Sequence, residues 1–596
     1  MRSGPWAPLG EYGVIGNGRT VALIAGDGRI DWWPLPALDA PPAFAALLDP
    51  ERGGYVELAP RSPFTVKRRY LEDTNVLETT FRTASGEVRV TDALTVGRTG
   101  ELPWTELVRR VDGASGEVDM AWTVRPGSRF ETAQPWIEQR EDALLAHCGD
   151  QHMAVLCFDV GEPRIGPYDI SGEFRTGPGS RSTLAFAAND DGPVYLPRLR
   201  HLDEHLEATI AWWRAWARDL TYEGPWRAAV RRSALALKLL QYRPTGALAA
   251  AATTSLPERI GGDRNYDYRY MWVRDAAYTI DALLRLDLHQ EVHAAVTFLL
   301  RCARATDPDL KVFYSLRGGT PDTQATLNAA GYRDSRPVRS GNAAAEQTQL
   351  GTFGDLFDSV WRYVQAGHVL DPASGRLLAD LADRCCDLWR NEDAGLWELH
   401  VNRHYTISKM GCWVALDRAV RLHEAGQIPV THPQRWREER DAVHDWVDRN
   451  CWSPDKQSYT FYAGSDDLDA ATLLAGQIGF DRGDRLAGTV AAIRRELADG
   501  ALVYRYTGMR KAEGAFLACS FWLVSALAAL GRHDEATNQM TAAVGLATGL
   551  GLLTEEMDPA TGEFLGNLPQ ALSHLALVNA AFALAPERSG GPAGKR

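Results

Sequence analysis

Apolar and polar residues alternate in short runs through the first third of the chain, and the period then lengthens. Thr20 to Ala25 is apolar, Gly26-Asp27-Gly28 supplies a turn, and Arg29 to Trp33 returns, which predicts a hairpin. Val76 to Arg82 and Glu87 to Thr91 flank Ala84-Ser85-Gly86 in the same way. Further alternating runs follow at Leu107 to Val111, Val118 to Val124, Ala143 to Cys148 and Ala154 to Val160. Such spacing without long helices predicts an antiparallel β-sandwich over residues 1–201. Near residue 202 a helical period begins. Residues 202–222, carrying Trp212, Trp213 and Trp216, read as a linker helix. From Pro225 onward apolar residues recur at helical spacing, as in Val230, Ala234, Leu237 and Leu240. Later segments start near 275, 290, 350, 375, 406, 434, 468, 484, 515, 533 and 569, about twelve helices in all. Twelve helices in residues 223–587 fit an (α/α)6 barrel, and periodicity alone leaves an ordinary helical bundle open. The Gly- and Pro-rich end, 588–596, is expected to be disordered.

At 596 residues the chain is too long for one core. Its net charge of −13 concentrates no positive charge for phosphate, which argues against nucleic acid or an anionic membrane surface as partner. No eighteen-residue apolar stretch predicts a membrane span, and Met1 to Pro8 lacks a secretory pattern. The eight cysteines show no paired metal spacing, and Cys157, Cys412 and Cys519 read as buried free thiols. These features together predict a cytoplasmic protein.

Candidate chemistry lies in the helical part. Gly395-Leu396-Trp397-Glu398 and Glu513-Gly514-Ala515-Phe516 each put a carboxylate beside aromatics at the edge of a helical segment. Hydrolysis of a glycosidic bond needs two carboxyl groups, one protonated to serve the leaving oxygen and one ionised to activate water. Helix-end carboxylates in solvent are the plainer explanation of the same pattern. A third stretch, Tyr268-Arg269-Tyr270-Met271-Trp272-Val273-Arg274-Asp275, joins aromatic rings to an adjacent Arg-Asp pair. Charged groups of this kind bind sugar hydroxyls, and rings cover the C–H faces of a sugar. An Asp N-cap with a paired Arg is the structural alternative.

These stretches occur in the order found in glycoside hydrolases of the glucoamylase family, and the chain most resembles the bacterial glucoamylase- and trehalase-like members. The resemblance covers Ile15-Gly16-Asn17-Gly18-Arg19-Thr20, Asp27 to Trp32, Arg264 to Tyr270, Trp272 to Asp275, Gly341 to Gln347, Leu396 to Glu398, Trp413 to Ala419, Glu513 to Leu517 and Gly566 to Ala571. It implies an N-terminal β-sandwich and a catalytic (α/α)6 barrel. It further implies exo-acting hydrolysis of a non-reducing terminal α-glucosidic bond with inversion, releasing β-glucose from trehalose, isomalto- or malto-oligosaccharides. Carried over by motif, Glu398 resembles the general acid and Glu513 the general base. Arg274 and Asp275 resemble the pair that holds the terminal glucose. Tyr268 resembles a tyrosine near the attacking water, and Trp272 and Trp397 resemble pocket-wall aromatics.

Two positions depart from the family pattern. Lys511-Ala512-Glu513 offers one carboxylate where many relatives have two, and Gln349-Leu350-Gly351 has glycine where relatives often carry aspartate. The first departure keeps an inverting α-glucoside phosphorylase open, and a non-catalytic carbohydrate-binding protein is the reading from another class. This chemistry requires no metal and no organic cofactor. The expected partner is a small oligosaccharide or disaccharide, and homo-oligomerisation is left open.

Overall fold

The computed structural model describes residues 4–585 apart from 98–99, 142, 190–191, 322 and 430–431. The expected tail at 588–596 lies outside the described residues. The first part forms two facing antiparallel sheets. One runs, edge to edge, through Gly13–Gly16, Val21–Ile24, Ile30–Pro34, Tyr55–Pro60, Val118–Arg125, Ile170–Thr176 and Arg164–Ile165, with Pro42–Phe44 paired to Ile30–Pro34. The other runs through Trp136–Arg140, Ala143–Cys148, Gln151–Phe158, Arg181–Asn189, Thr105–Gly116, Gly86–Leu94, Leu77–Thr83 and Phe64–Tyr70. Val118–Arg125 shows why they stack: its residues alternate buried and accessible, so Val118, Met120, Trp122 and Val124 enter the core between the sheets.

Helix α1 (Leu199–Arg218) follows, beginning and ending a few residues before the expected linker. It is a strut. Thr209 Oγ1 accepts from Val96 N at 2.9 Å on the sandwich side, and Trp216 donates from Nε1 to Glu291 at 2.8 Å on the helical side. Trp213 is buried in the core shared by both parts.

Twelve helices then alternate between two rings. They are α2 (Arg227–Leu240), α3 (Val273–Arg285), α4 (His289–Ala305), α5 (Gly351–Gln365), α6 (Pro372–Leu388), α7 (Thr406–Glu424), α8 (Pro433–Asn450), α9 (Ala475–Ile478), α10 (Asp484–Glu496), α11 (Leu517–Ala529), α12 (His533–Val544) and α13 (Ala571–Ala583). The inner ring closes: α13 packs on α3, α3 on α5, α5 on α7, and α9 on α11, which returns to α13. Composition sorts the rings. Leu517 to Leu527 of α11 are buried on every side, whereas α8 buries Trp436, Val443 and Val447 and shows charge elsewhere. Close approach of α5 and α7 rests on glycine: a Cβ on Gly354 would stand 2.4 Å from the Gly411 carbonyl oxygen. This is the expected β-sandwich followed by an (α/α)6 barrel.

Among the described residues no helix is long and apolar enough to cross a membrane. The sandwich also braces the barrel loops. Trp32 donates from its indole to the Ala252 carbonyl at 3.0 Å, and Arg269 donates to the Ala40 carbonyl at 2.7 Å while paired to Asp267.

Candidate active site

The loops that enter the inner helices from one end build the site. Met271–Trp272 pairs with Phe313–Tyr314 and runs directly into α3, which places Arg274 and Asp275 in that helix's first turn. Arg274 donates from Nε to Asp275 Oδ2 at 3.0 Å and from Nη1 to the Leu396 carbonyl at 2.6 Å, and reaches Glu398 Oε1 at 3.5 Å. The Arg-Asp pair and Glu398 are therefore one cluster. Glu398 sits at φ +60, a left-handed conformation that a glutamate adopts only under constraint. Burial pushes its carboxyl above the usual range, Arg274 pulls it down and Asp275 pushes it up again. Asp275 is also raised by burial, against the pull of Arg274.

Tyr268 stands beside this cluster, buried, its phenol raised well above its ordinary value by burial first and then by Glu398 and Glu555. Trp272, expected as a pocket wall, is 0% exposed, stacked on Phe313 at 4.3 Å and edge-on to Tyr268 at 4.9 Å, and its side chain acts on the Glu398 carboxyl and lowers it. Trp397 remains partly accessible. Its indole donates to Asp469 Oδ1 at 2.8 Å and its ring packs against Phe516 and Trp522.

Glu513, expected as the base, is engaged by two arginines. Its side chain is 0% exposed. Arg505 donates from Nε to Oε1 at 2.5 Å and from Nη2 to Oε2, and Arg264 donates to Oε2 at 2.6 Å. A carboxylate that takes three donations from two guanidinium groups has most of its acceptor sites filled and is held as a counter-ion. Arg505 also pairs with Glu258 at 2.6 Å and approaches Glu556 at 3.6 Å, and lies over the Trp397 ring at 5.4 Å. Glu258, Glu513 and Glu556 are the one acidic group among the described residues compact enough to hold a metal ion. The Arg505 guanidinium already supplies the positive charge between them, so the arrangement does not fit one.

The carboxylate that shares the Tyr268 surroundings with Glu398 is Glu555, which the sequence reading missed. It directly precedes the middle strand of the three-stranded element Ala515–Phe516, Glu556–Met557, Phe564–Leu565, and its carbonyl accepts from Leu517 N at 3.1 Å. Glu555 Oε2 accepts from the Asn567 backbone N–H at 3.0 Å and from its side chain at 3.5 Å. Burial raises its pKa to about 7, the Asn567 donors and Arg505 lower it, and the charge of Glu398 raises it. Gly566-Asn567, noted only as a family-like stretch, is the cradle of this carboxylate. The signal in the sequence was the pair Glu555-Glu556 shortly before that stretch.

Two carboxyl groups that both act on the Tyr268 phenol, one beside an Arg-Asp pair and one bonded by amide donors, are the kind of groups that hydrolysis of a glycosidic bond uses. Residues 224–535 and 529–582 match the glycosyl hydrolases family 15, and residues 4–161 match the trehalase-like N-terminal family. The chain belongs to glycosyl hydrolase family 15. It is 33% identical to a trehalase of Thermoplasma acidophilum, over 94% of this chain and 97% of that one. It is 34% identical to a trehalase of Mycolicibacterium smegmatis, over 97% and 91%. A bacterial glucoamylase complexed with acarbose shares the fold with a TM-score of 0.71 at 13% identity, over 97% of this chain and 94% of that one.

Proposed function

We propose that this enzyme is an exo-acting, inverting hydrolase of trehalose, with Glu398 as general acid and Glu555 as general base. The observation that carries the roles is the contrast between the two carboxyl settings. Burial raises Glu555 to about 7, and the two Asn567 donations and Arg505 oppose it in favour of the ionised form. Glu398 is pushed up by burial and by Asp275, which favours its proton, against the pull of Arg274 at 3.5 Å and of the Trp272 side chain. Arg274 and Asp275 hold the outer hydroxyls of one glucose, and Tyr268 and Trp397 bound its faces. Glu398 gives its proton to the glycosidic oxygen as that bond breaks. Glu555 takes a proton from the water whose oxygen attacks the anomeric carbon from the opposite side. Trehalose as substrate is supported by the trehalases to which the chain is similar over nearly its whole length. Its eight unpaired cysteines support the cytoplasm as its place of work.

The test is hydrolysis of trehalose, maltose and isomaltose without phosphate, followed by proton NMR before mutarotation. Inversion at one centre of trehalose yields one β-glucose and one α-glucose in equal amounts. Two α-glucoses per trehalose rule out inversion, and a preference for maltose rules out the substrate assignment. A strict need for phosphate with a sugar-phosphate product identifies a phosphorylase.

A further inference from the structure

Behind the Arg274–Asp275 clamp, an internal chamber of about 50 Å³ lies between α3, α5 and α7. Arg274, Tyr278, Gln349, Gly351, Asp355 and Ser408 are among its walls. It is large enough for a few water molecules. Asp355 is the unusual wall. Asp275 is bonded to Arg274, and Asp358 is neutralised by Arg362 at 2.6 Å and Arg418 at 2.8 Å. The Asp355 carboxylate makes no hydrogen bond or ion pair to the described residues, and the cation acting on it is Arg274.

We propose that Asp355 is a positioning residue for the Arg274–Glu398 pair, drawing the guanidinium from the chamber side so that the acid keeps its proton. This rests on Glu398 being the general acid. Three carboxyl groups act on Arg274: Asp275 and Glu398, which it bonds, and Asp355, with which it shares the cavity wall. A negative charge on the chamber side offsets part of the positive field that Arg274 casts on Glu398. The groups facing Asp355 are Arg274, Asp275 and Tyr278 from α3 and Asp358 from its own helix. From α7, Ser408 is neutral and Arg418 is spent on Asp358 and Asp417. Burial in this setting raises Asp355 to about 7, with Arg274 pulling it down and Asp275 pushing it up. Gly351 lies one turn earlier on the same helix and the same chamber wall. A Cβ added there would meet only the Ser408 Cα, at 3.8 Å, so the first atom of a side chain fits at that position.

The experiment compares the intact enzyme with Asp355→Asn and with Asp355→Asn/Gly351→Asp. It measures kcat/KM on trehalose across pH, and the melting temperature across the same range. Asp355→Asn is expected to move the alkaline limb, where Glu398 loses its proton, about half a pH unit toward acid. The second carboxylate at 351 is expected to return it. Asp355→Asn is also expected to gain melting temperature over the parent only above about pH 6, because the charge it removes forms there. An unmoved alkaline limb in a folded Asp355→Asn, or a melting gain independent of pH, overturns the proposal. Asp355→Ser repeats the test if Asp355→Asn does not fold. Full activity in Glu398→Gln overturns the acid assignment and the proposal with it, and the melting profile of Asp355→Asn tells that failure from an uncharged Asp355.

Discussion

Gly566 lies so close to Glu555 that a Cβ at position 566 would stand 2.5 Å from the Glu555 Cβ. Gly566 also holds φ +71, where any other residue is strained. Both facts require glycine beside the candidate base. Gly566→Ala is expected to cost about 1–3 kcal/mol of backbone strain and to displace Glu555. Turnover should therefore fall at least tenfold with little change in affinity for a glucose-like inhibitor. Unchanged kcat in the folded variant would show that Glu555 needs no such cradle.

The two carboxyl roles predict opposite substrate dependence. Glu398→Gln should lower kcat on trehalose by roughly two to four decades. The loss should shrink on an aryl α-glucoside whose leaving group needs no proton. Glu555→Ala should lose activity on both substrates alike, and added azide should restore part of it as a β-configured adduct. Glu513→Ala is the control. It breaks a buried pair, so it should cost about 3–5 kcal/mol of stability and show no azide rescue. Rescue in Glu513→Ala and none in Glu555→Ala would return the base to Glu513.

The architecture was legible because period and composition act locally. Alternation in Val118–Arg125 reports its two faces directly, and the all-apolar α11 against the charged α8 reports inner and outer rings. The same local logic singled out Arg274, Asp275 and Glu398, which the start of α3 and one loop bring into one cluster. It does not show the partners of Glu513, Arg264 and Arg505, which are set by folding and not by its neighbours in the chain. Nor does it show where Trp272 stands. An aromatic beside an Arg-Asp pair reads the same whether it lines a pocket or, stacked on Phe313, stands behind one. Glu555 was hidden because its cradle, Asn567, returns to it only through a hairpin.

Trp397 owes its orientation to Asp469, a buried carboxyl that accepts from the indole at 2.8 Å and from Ala471 N at 2.9 Å. Burial raises Asp469 to about 7. Asp469→Ala should leave the indole N–H unpaired and free the ring, raising KM for trehalose several-fold more than it lowers kcat. Trp397→Phe removes the same bond from the other side, so the double variant should be no worse than the poorer single one. Additive losses would mean that Asp469 acts on something other than Trp397.

The last prediction concerns pH and stability. Burial raises Glu258 to about 8, and Glu555, Asp355 and Asp469 to about 7. In the unfolded chain these groups titrate near pH 4. Between about pH 4 and 8 the folded protein therefore binds more protons than the unfolded one, and its stability falls as pH rises. This contribution is fully present below pH 4 and is lost as the solution passes through pH 7 to 8. The ion-paired carboxylates with lowered values, such as Asp358 and Glu291, act in the opposite sense at low pH. A stability maximum on the acid side of neutrality follows, with a decline from pH 6 to pH 9. Glu258→Gln removes the group raised furthest among those given values, so its melting curve should decline less steeply over that range. A parent whose melting temperature is flat or rises from pH 6 to 9 would show that these buried carboxyls are ionised at little cost.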